Sequence, residues 1–120
     1  MIQQQRPNLI LILVDQMRGD CLGADGNPYI ETPNLDFLAA SGTRFHHAYT
    51  ACPSCIPSRA TIMTGMNQWH TGILGMGAGQ GPIPNDFPHS LAGELSAANY
   101  QTHLVGKGHF TPQRASMGFD

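Results

Sequence analysis

The chain has 120 residues, enough for one small domain, and its hydrophobic content of 41% is ordinary for a globular protein. Six basic and eight acidic residues give a net charge of −2, which leaves no basic surface for DNA or RNA. The longest wholly apolar run, residues 9–14, is far shorter than the ~20 residues that cross a bilayer, so no membrane span is expected.

The number of cysteines indicates the redox environment of the protein. Cys21, Cys52 and Cys55 are an odd set, which argues against a disulfide framework and is compatible with a reducing environment. The segment Met1–Pro7 carries one positive charge and has no features of a secretion signal. We therefore expect a cytoplasmic location.

The first predicted element is a buried parallel strand. Residues 8–14 read Asn-Leu-Ile-Leu-Ile-Leu-Val, an apolar run without the alternation of a half-exposed strand. Asp15 follows at its carboxyl end, which is the edge where open α/β sheets bind their ligands. The alternative for Asp15 is an ordinary turn residue.

A short helix with clear boundaries comes next. Thr32 suits its amino-terminal cap, Pro33 its first position and Gly42 its end. Residues 43–50 then predict a second extended segment. One apolar face of the helix, at helical spacing, should pack on the sheet; it comprises Leu35, Leu38 and Ala39.

The second half of the chain predicts two more helices and a strand. Pro57–Thr64 forms a helix stopped by Gly65, with Ser54 or Cys55 as its cap. A glycine- and proline-rich stretch from residue 72 to residue 88 is an ordered loop, and residues 90–98 have helical spacing. Residues 101–105 predict a strand. This order of elements predicts a mixed α/β layered domain.

Two cysteines in Cys52-Pro53-Ser54-Cys55 have the spacing of thioredoxin-like redox sites, and spacing alone does not exclude that function. Against it, a redox pair should follow the first strand of a compact βαβ unit, whereas this pair follows a helix and an irregular segment. A zinc site is a poorer hypothesis because the chain has no second cysteine pair.

The segment that starts at Cys55 reads Cys-Ile-Pro-Ser-Arg-Ala-Thr-Ile-Met-Thr-Gly. It resembles the sulfatase signature, which is Cys-x-Pro-Ser-Arg followed by Thr-Gly at the end of a helix. In that family a maturation enzyme recognises the Cys, Pro and Arg positions and oxidises the cysteine to formylglycine. Cys55, Pro57 and Arg59 match these positions, and Cys52 does not, because its proline follows immediately.

The chemistry of a helix start agrees with this resemblance. A nucleophile in the first turn faces backbone N–H groups without helical acceptors and the positive end of the helix dipole, which favour anionic substrates. Arg59, about one turn further on, can neutralise an ionised nucleophile or a bound oxyanion. Its alternative is a surface arginine.

Asp15 and Gln16 lie in a segment similar to the first strand of the family, where Asp15 would bind a divalent metal. Many members have a second Asp at the position of Gln16, and the Asp-Gln form is similar to a branch with choline sulfatases and phosphonate monoester hydrolases. The resemblance thus implies Asp15, Gln16 and residue 55 as metal ligands. Ca²⁺ is the first choice of ion, with Mn²⁺ and Mg²⁺ as alternatives.

Three further segments resemble the family. Thr32–Asp36 with Gly42–Phe45, and Trp69–Gly72, match segments that serve structure. Gly106-Lys107-Gly108-His109-Phe110 is similar to the family's Gly-Lys-Trp-His, with Gly108 in place of Trp. The resemblance implies that Lys107 binds the sulfate and that His109 hydrogen-bonds the nucleophile; the alternative is that both are solvated. Four other histidines match no family segment and are taken as surface or packing residues: His46, His47, His89 and His103.

The resemblance implies an alkaline-phosphatase-like fold with a largely parallel sheet flanked by helices, of which residues 1–120 are the amino-terminal part. It also implies that hydrated formylglycine attacks the sulfur of a sulfate ester and that an alcohol leaves. Because later metal ligands and the leaving-group acid are absent from these residues, we expect a fragment that is inactive alone. The rival functions are phosphonate or phosphodiester hydrolysis and a non-enzymatic scaffold or interaction module.

Overall fold

The computed structural model describes residues 6–76, 89–110 and 115–120. The chain divides into two compact units, Met1–His47 and Ala48–Asp120, which are called the N-terminal and C-terminal units below. Each is described by itself. None of the helices in the described ranges is long and apolar enough to cross a membrane.

The N-terminal unit contains one 3₁₀ turn, Gly23–Asp25, and one helix, α1, Pro33–Ser41. Thr32 precedes α1 and Gly42 follows it, so the predicted boundaries are confirmed. The Thr32 hydroxyl does not cap its own helix. It accepts a hydrogen bond from the Gly23 N–H at 2.8 Å and donates one to the Asp36 carboxylate at 2.8 Å, which ties the turn to α1.

Asp36 is the polar centre of this unit. Besides Thr32, its Oδ1 accepts the Ala24 N–H at 2.8 Å. Arg44 closes the other side of the turn, because its Nη1 donates to the Ala24 carbonyl at 2.6 Å and lies 3.0 Å from the Asp25 carboxylate. Hydrogen bonds rather than apolar packing therefore hold the turn, since α1 contains no buried residue.

Replacing Asp36 with alanine is expected to destabilise the N-terminal unit by about 1–3 kcal/mol, because the part-buried Ala24 N–H and Thr32 hydroxyl lose their shared acceptor. Chemical denaturation of the chain, followed by circular dichroism, measures the change. Asp20→Ala is the matched control, because the Asp20 carboxylate is exposed and pairs with Arg18 at the surface. Equal midpoints for the two variants would contradict the structural role of Asp36.

The C-terminal unit contains α2, Cys55–Thr64, α3, Gln68–Thr71, and α4, Leu91–Ala97. The predicted end of α2 is confirmed, because Gly65 has a left-handed φ of 67° and its N–H bonds the Thr61 carbonyl at 2.9 Å. The helix begins two residues before the predicted start, with Ser54 as its cap. Pro57 is accommodated because the first three helical N–H groups need no acceptor within the helix.

A small apolar core lies between α2 and its neighbours. Ala60 and Met63 of α2 are buried, and α2 contacts both α3 and α4. Ser90 caps α4 by accepting the Gly93 N–H at 3.0 Å, so the predicted helix at residues 90–98 is confirmed. The cluster and the side chains packed on it are Ala60, Met63, Ile73, Met117, Ile56, Phe110, Ala115 and Phe119.

The predicted α/β fold with a largely parallel sheet is wrong for this structure, because no residue in the described ranges belongs to a strand. Residues 8–14, 43–50 and 101–105 are all without strand pairing. Ile10 and Ile12 are 85% and 71% exposed, and Leu11 between them is 57% exposed, so both faces of the apolar run are open. A strand requires hydrogen bonds to a neighbouring strand, and a run of apolar residues cannot supply that neighbour itself.

Two smaller predictions also differ from the structure. The face of α1 that should have packed on a sheet is exposed instead, with Leu38 at 57%. Sequence patterns also missed α3, although Asn67 caps it by accepting the N–H groups of Trp69 and His70, and Gly72 ends it. Of the predicted loop at residues 72–88, residues 77–88 lie outside the described residues.

Candidate active site

Cys55 is the first residue of α2, and it is half-buried. Ser54 before it has extended dihedral angles, and the Ser54 carbonyl accepts the Ser58 N–H at 3.0 Å, which starts the helical ladder. Pro57 is buried, so this side of the first turn is anchored in the core. The side chain at position 55 therefore projects from a fixed turn at the positive end of the helix.

The chain that enters α2 is tied to the same turn. The Thr50 hydroxyl donates to the Cys52 carbonyl at 3.0 Å and accepts the Cys52 N–H at 3.3 Å. It also lies 3.2 Å from the Ser58 hydroxyl, one turn into the helix. Neither Cys52 nor Cys55 is part of a disulfide. These bonds fix the path of the backbone into residue 55, and no motif had pointed to Thr50.

Arg59 joins two of the predicted site segments. Its Nη1 donates to the backbone carbonyl of Lys107 at 2.6 Å, across a sequence separation of 48 residues. Within the C-terminal unit, the fold thus brings the signature helix together with the Gly106–Phe110 segment. The sequence had predicted Arg59 and Lys107 as site residues but had not predicted that the arginine binds the backbone of the lysine.

The backbone on both sides of Lys107 is unusual. Gly106 has a φ of 93°, which glycine adopts without strain, and His109 has a φ of 57°, which is uncommon for a residue with a side chain. Strained backbone of this kind concentrates at functional sites, where the surroundings hold it in place. The positive φ values of Gly106 and His109 are consistent with a functional segment around Lys107.

Gly108 stands where the family pattern has Trp, and two side chains lie close to it. A Cβ atom built on Gly108 would lie 3.0 Å from the side chains of Leu104 and Phe110. Those two side chains occupy the space that a larger residue would need. Tryptophan could fit at position 108 only if both side chains moved.

Asp15 and Gln16 belong to the N-terminal unit, where they form a turn directly after the exposed apolar run. Gln16 has a φ of 55°, so its backbone is in the left-handed region, as is that of His109. Close by, Arg18 Nε donates to Asp20 Oδ1 at 3.0 Å. This hydrogen bond lowers the pKa of Asp20 and, with the charge of Asp20, raises the pKa of Arg18, so both groups carry their charges at neutral pH.

The described residues do not form a metal site by themselves. Among them, no three His, Cys, Asp or Glu side chains lie close enough together to hold an ion. Asp15 and Gln16 offer at most three side-chain oxygens, whereas Ca²⁺ takes about six to eight oxygen ligands. The donor set therefore does not fit a complete site, and no catalytic step is assigned to a metal here.

Three other described histidines have contacts with neighbouring side chains. His70 Nδ1 lies 2.8 Å from the Asn67 side chain at the start of α3, and His89 Nδ1 lies 2.6 Å from Glu94. His46 Nε2 lies 3.2 Å from Arg44. Their neighbours explain these three side chains without an active-site role.

Comparison with known proteins is consistent with the geometry at α2. The family described as Sulfatase matches residues 7–120. An arylsulfatase of Clostridium perfringens is 51% identical over 114 residues, covering 95% of this chain and 23% of that protein. N-acetylgalactosamine-6-sulfatase of Mus musculus is 40% identical, covering 88% of this chain and 22% of that protein.

A choline-sulfatase of Rhizobium meliloti is 35% identical, covering 96% of this chain and 22% of that protein. The chain thus spans about a fifth to a quarter of the length of these relatives. No solved structure matches it. Because the family match covers nearly the whole chain and includes the Cys55–Arg59 signature, this chain belongs to the sulfatase family.

Proposed function

We propose that the protein containing these residues hydrolyses sulfate esters, with the nucleophile formed from Cys55. The observation that supports this most directly is the 2.6 Å hydrogen bond from Arg59 to the Lys107 carbonyl. It connects the helix that starts at Cys55 with the segment that contains Lys107 and His109. Three residue types suited to an anionic ester, a nucleophile precursor, a guanidinium and an ammonium, therefore belong to one packed unit.

Each residue has a distinct proposed role. Formylglycine at position 55 would supply a hydrated aldehyde as the nucleophile for covalent catalysis. Arg59 holds the backbone at Lys107 and offsets negative charge at the start of α2. Lys107 binds the sulfate group as a cation, and His109 hydrogen-bonds the nucleophile.

Membership of the sulfatase family implies a divalent metal and formylglycine in general. The identity of the ion is a finer proposal: Ca²⁺, with Mn²⁺ or Mg²⁺ as alternatives. Asp15 and Gln16 would provide two of its ligands in the complete protein, because carboxylate and amide oxygens suit these hard cations. A formylglycine-generating maturation enzyme is the proposed partner that modifies Cys55, which is half-buried at the first turn of α2.

The names of the relatives favour sulfate esters over phosphorus substrates. The three relatives described above are an arylsulfatase, an N-acetylgalactosamine-6-sulfatase and a choline-sulfatase, which share the sulfate group and differ in the alcohol. The proposal therefore specifies the sulfate ester and leaves the alcohol open.

The test uses the product of the complete gene, purified from its native host. We expect mass spectrometry of the peptide that contains residue 55 to show the aldehyde, and we expect faster turnover of 4-nitrophenyl sulfate than of a phenyl phosphonate monoester. Faster turnover of the phosphonate would select the rival hydrolase. An unmodified Cys55 thiol with no turnover of either substrate would overturn the proposal and favour a scaffold.

A further inference from the structure

The buried Thr102 and the exposed Asp120 form a part-buried polar contact that the proposed roles above do not use. Thr102 is only 6% exposed. Its N–H donates to Asp120 Oδ2 at 2.7 Å, its hydroxyl lies 3.3 Å from the same oxygen, and the Asp120 N–H donates to the Thr102 carbonyl at 3.2 Å. The two residues are thus joined through both backbone and side chain across 18 residues.

The turn at residues 117–118, just before Asp120, is fixed to the rest of the C-terminal unit. Met117 is part of the core cluster with Ala60 and Met63 of α2. The Met117 carbonyl accepts the Ser90 hydroxyl at 2.9 Å, at the start of α4. The carboxylate that binds Thr102 is therefore close in sequence to a residue anchored on both α2 and α4.

Thr102 begins the segment that leads to Lys107. Residues 103–106 lie between them, and with two soft dihedral angles each they have about eight degrees of freedom. Arg59 holds this segment at Lys107, and Asp120 holds it at Thr102. Without the Asp120 contact the segment would be fixed only at the Lys107 carbonyl, and the orientation of the lysine would vary with these dihedral angles.

We propose that Asp120, acting through Thr102, is a positioning residue that sets the place of Lys107 relative to residue 55. This inference rests on the proposed function, because it assigns a sulfate-binding consequence to the contact. Asp120 does not touch the reacting atoms in this scheme. Its loss should weaken sulfate binding more than it lowers turnover.

The experiment compares Asp120→Ala, Asp120→Asn and Glu94→Ala in the complete, mature protein. The measured quantities are kcat and KM for 4-nitrophenyl sulfate and the inhibition constant of inorganic sulfate. For Asp120→Ala we expect KM and the inhibition constant to rise about tenfold, because a small displacement of a binding group has a large effect on a site. Asparagine keeps an acceptor oxygen for the Thr102 N–H and should restore most of the loss. Glu94 is exposed and pairs with His89, so Glu94→Ala should match the wild type.

Thr102→Val provides a second test if Asp120→Ala does not fold, because valine keeps the N–H to Asp120 and loses only the hydroxyl. We expect a two- to fivefold rise of both constants, by the same reasoning. A lower kcat with unchanged KM and inhibition constant, or variants equal to Glu94→Ala, would overturn the positioning role alone. A wild-type protein without Cys55-dependent sulfatase activity would overturn the proposed function and this inference together.

Discussion

Cys55→Ala in the complete, mature protein is expected to lower kcat for an aryl sulfate by a factor on the order of 10⁴ or more. Alanine cannot be oxidised to the aldehyde, and Ser58, the other residue in the first turn of α2 with a hydroxyl or thiol, does not occupy the cysteine position of the signature. The remaining groups, Arg59 and Lys107, can bind and polarise a sulfate ester but cannot attack its sulfur. Steady-state kinetics with 4-nitrophenyl sulfate measures the effect.

The chain offers a matched control in Cys52. This thiol lies three residues before Cys55, is half-buried like Cys55 and is not part of a disulfide, but it precedes α2 and has the wrong spacing to Pro53 for the signature. Cys52→Ala should keep wild-type turnover. Equal loss of activity in Cys52→Ala and Cys55→Ala would contradict the assignment of the nucleophile to Cys55 alone.

Arg59→Gln is expected to lower kcat/KM by roughly 10²–10³, the usual loss when one preorganised donor to a developing negative charge is removed. The structure adds a second reason for a large effect, because the same side chain holds the Lys107 carbonyl at 2.6 Å. A guanidinium carries five donors in one plane, so binding a carbonyl and an anion together is compatible with its geometry.

Arg59→Lys separates these two contributions. Lysine keeps the positive charge but lacks the planar fork that can serve two acceptors at once, so we expect at least a tenfold loss of kcat/KM to remain. Arg6→Gln, which removes a charge from an exposed position, is the control and should leave the kinetics unchanged. Full recovery in the lysine variant would mean that charge alone matters and that the bond to Lys107 has no catalytic consequence.

Several helix boundaries could be predicted from the residues next to them. The bounds of α1 and the end of α2 were predicted because Thr32, Pro33 and Gly65 act within a few residues of where they stand. α3 was missed because four residues are too few for a hydrophobic period, although Asn67 and Gly72 mark its two ends. The strands were predicted wrongly, since residues 9–14 have the composition of a buried strand and no partner in the described structure.

The sequence by itself determined the identity of the candidate nucleophile and the end of the helix on which it stands, because the signature and Gly65 are read from neighbouring residues. Only the tertiary structure decided that Arg59 binds the backbone of Lys107 and that Asp120 binds Thr102. These partners lie 48 and 18 residues apart, and whether they meet depends on how the core around Ala60 and Met63 packs. No local pattern of residues carries that information.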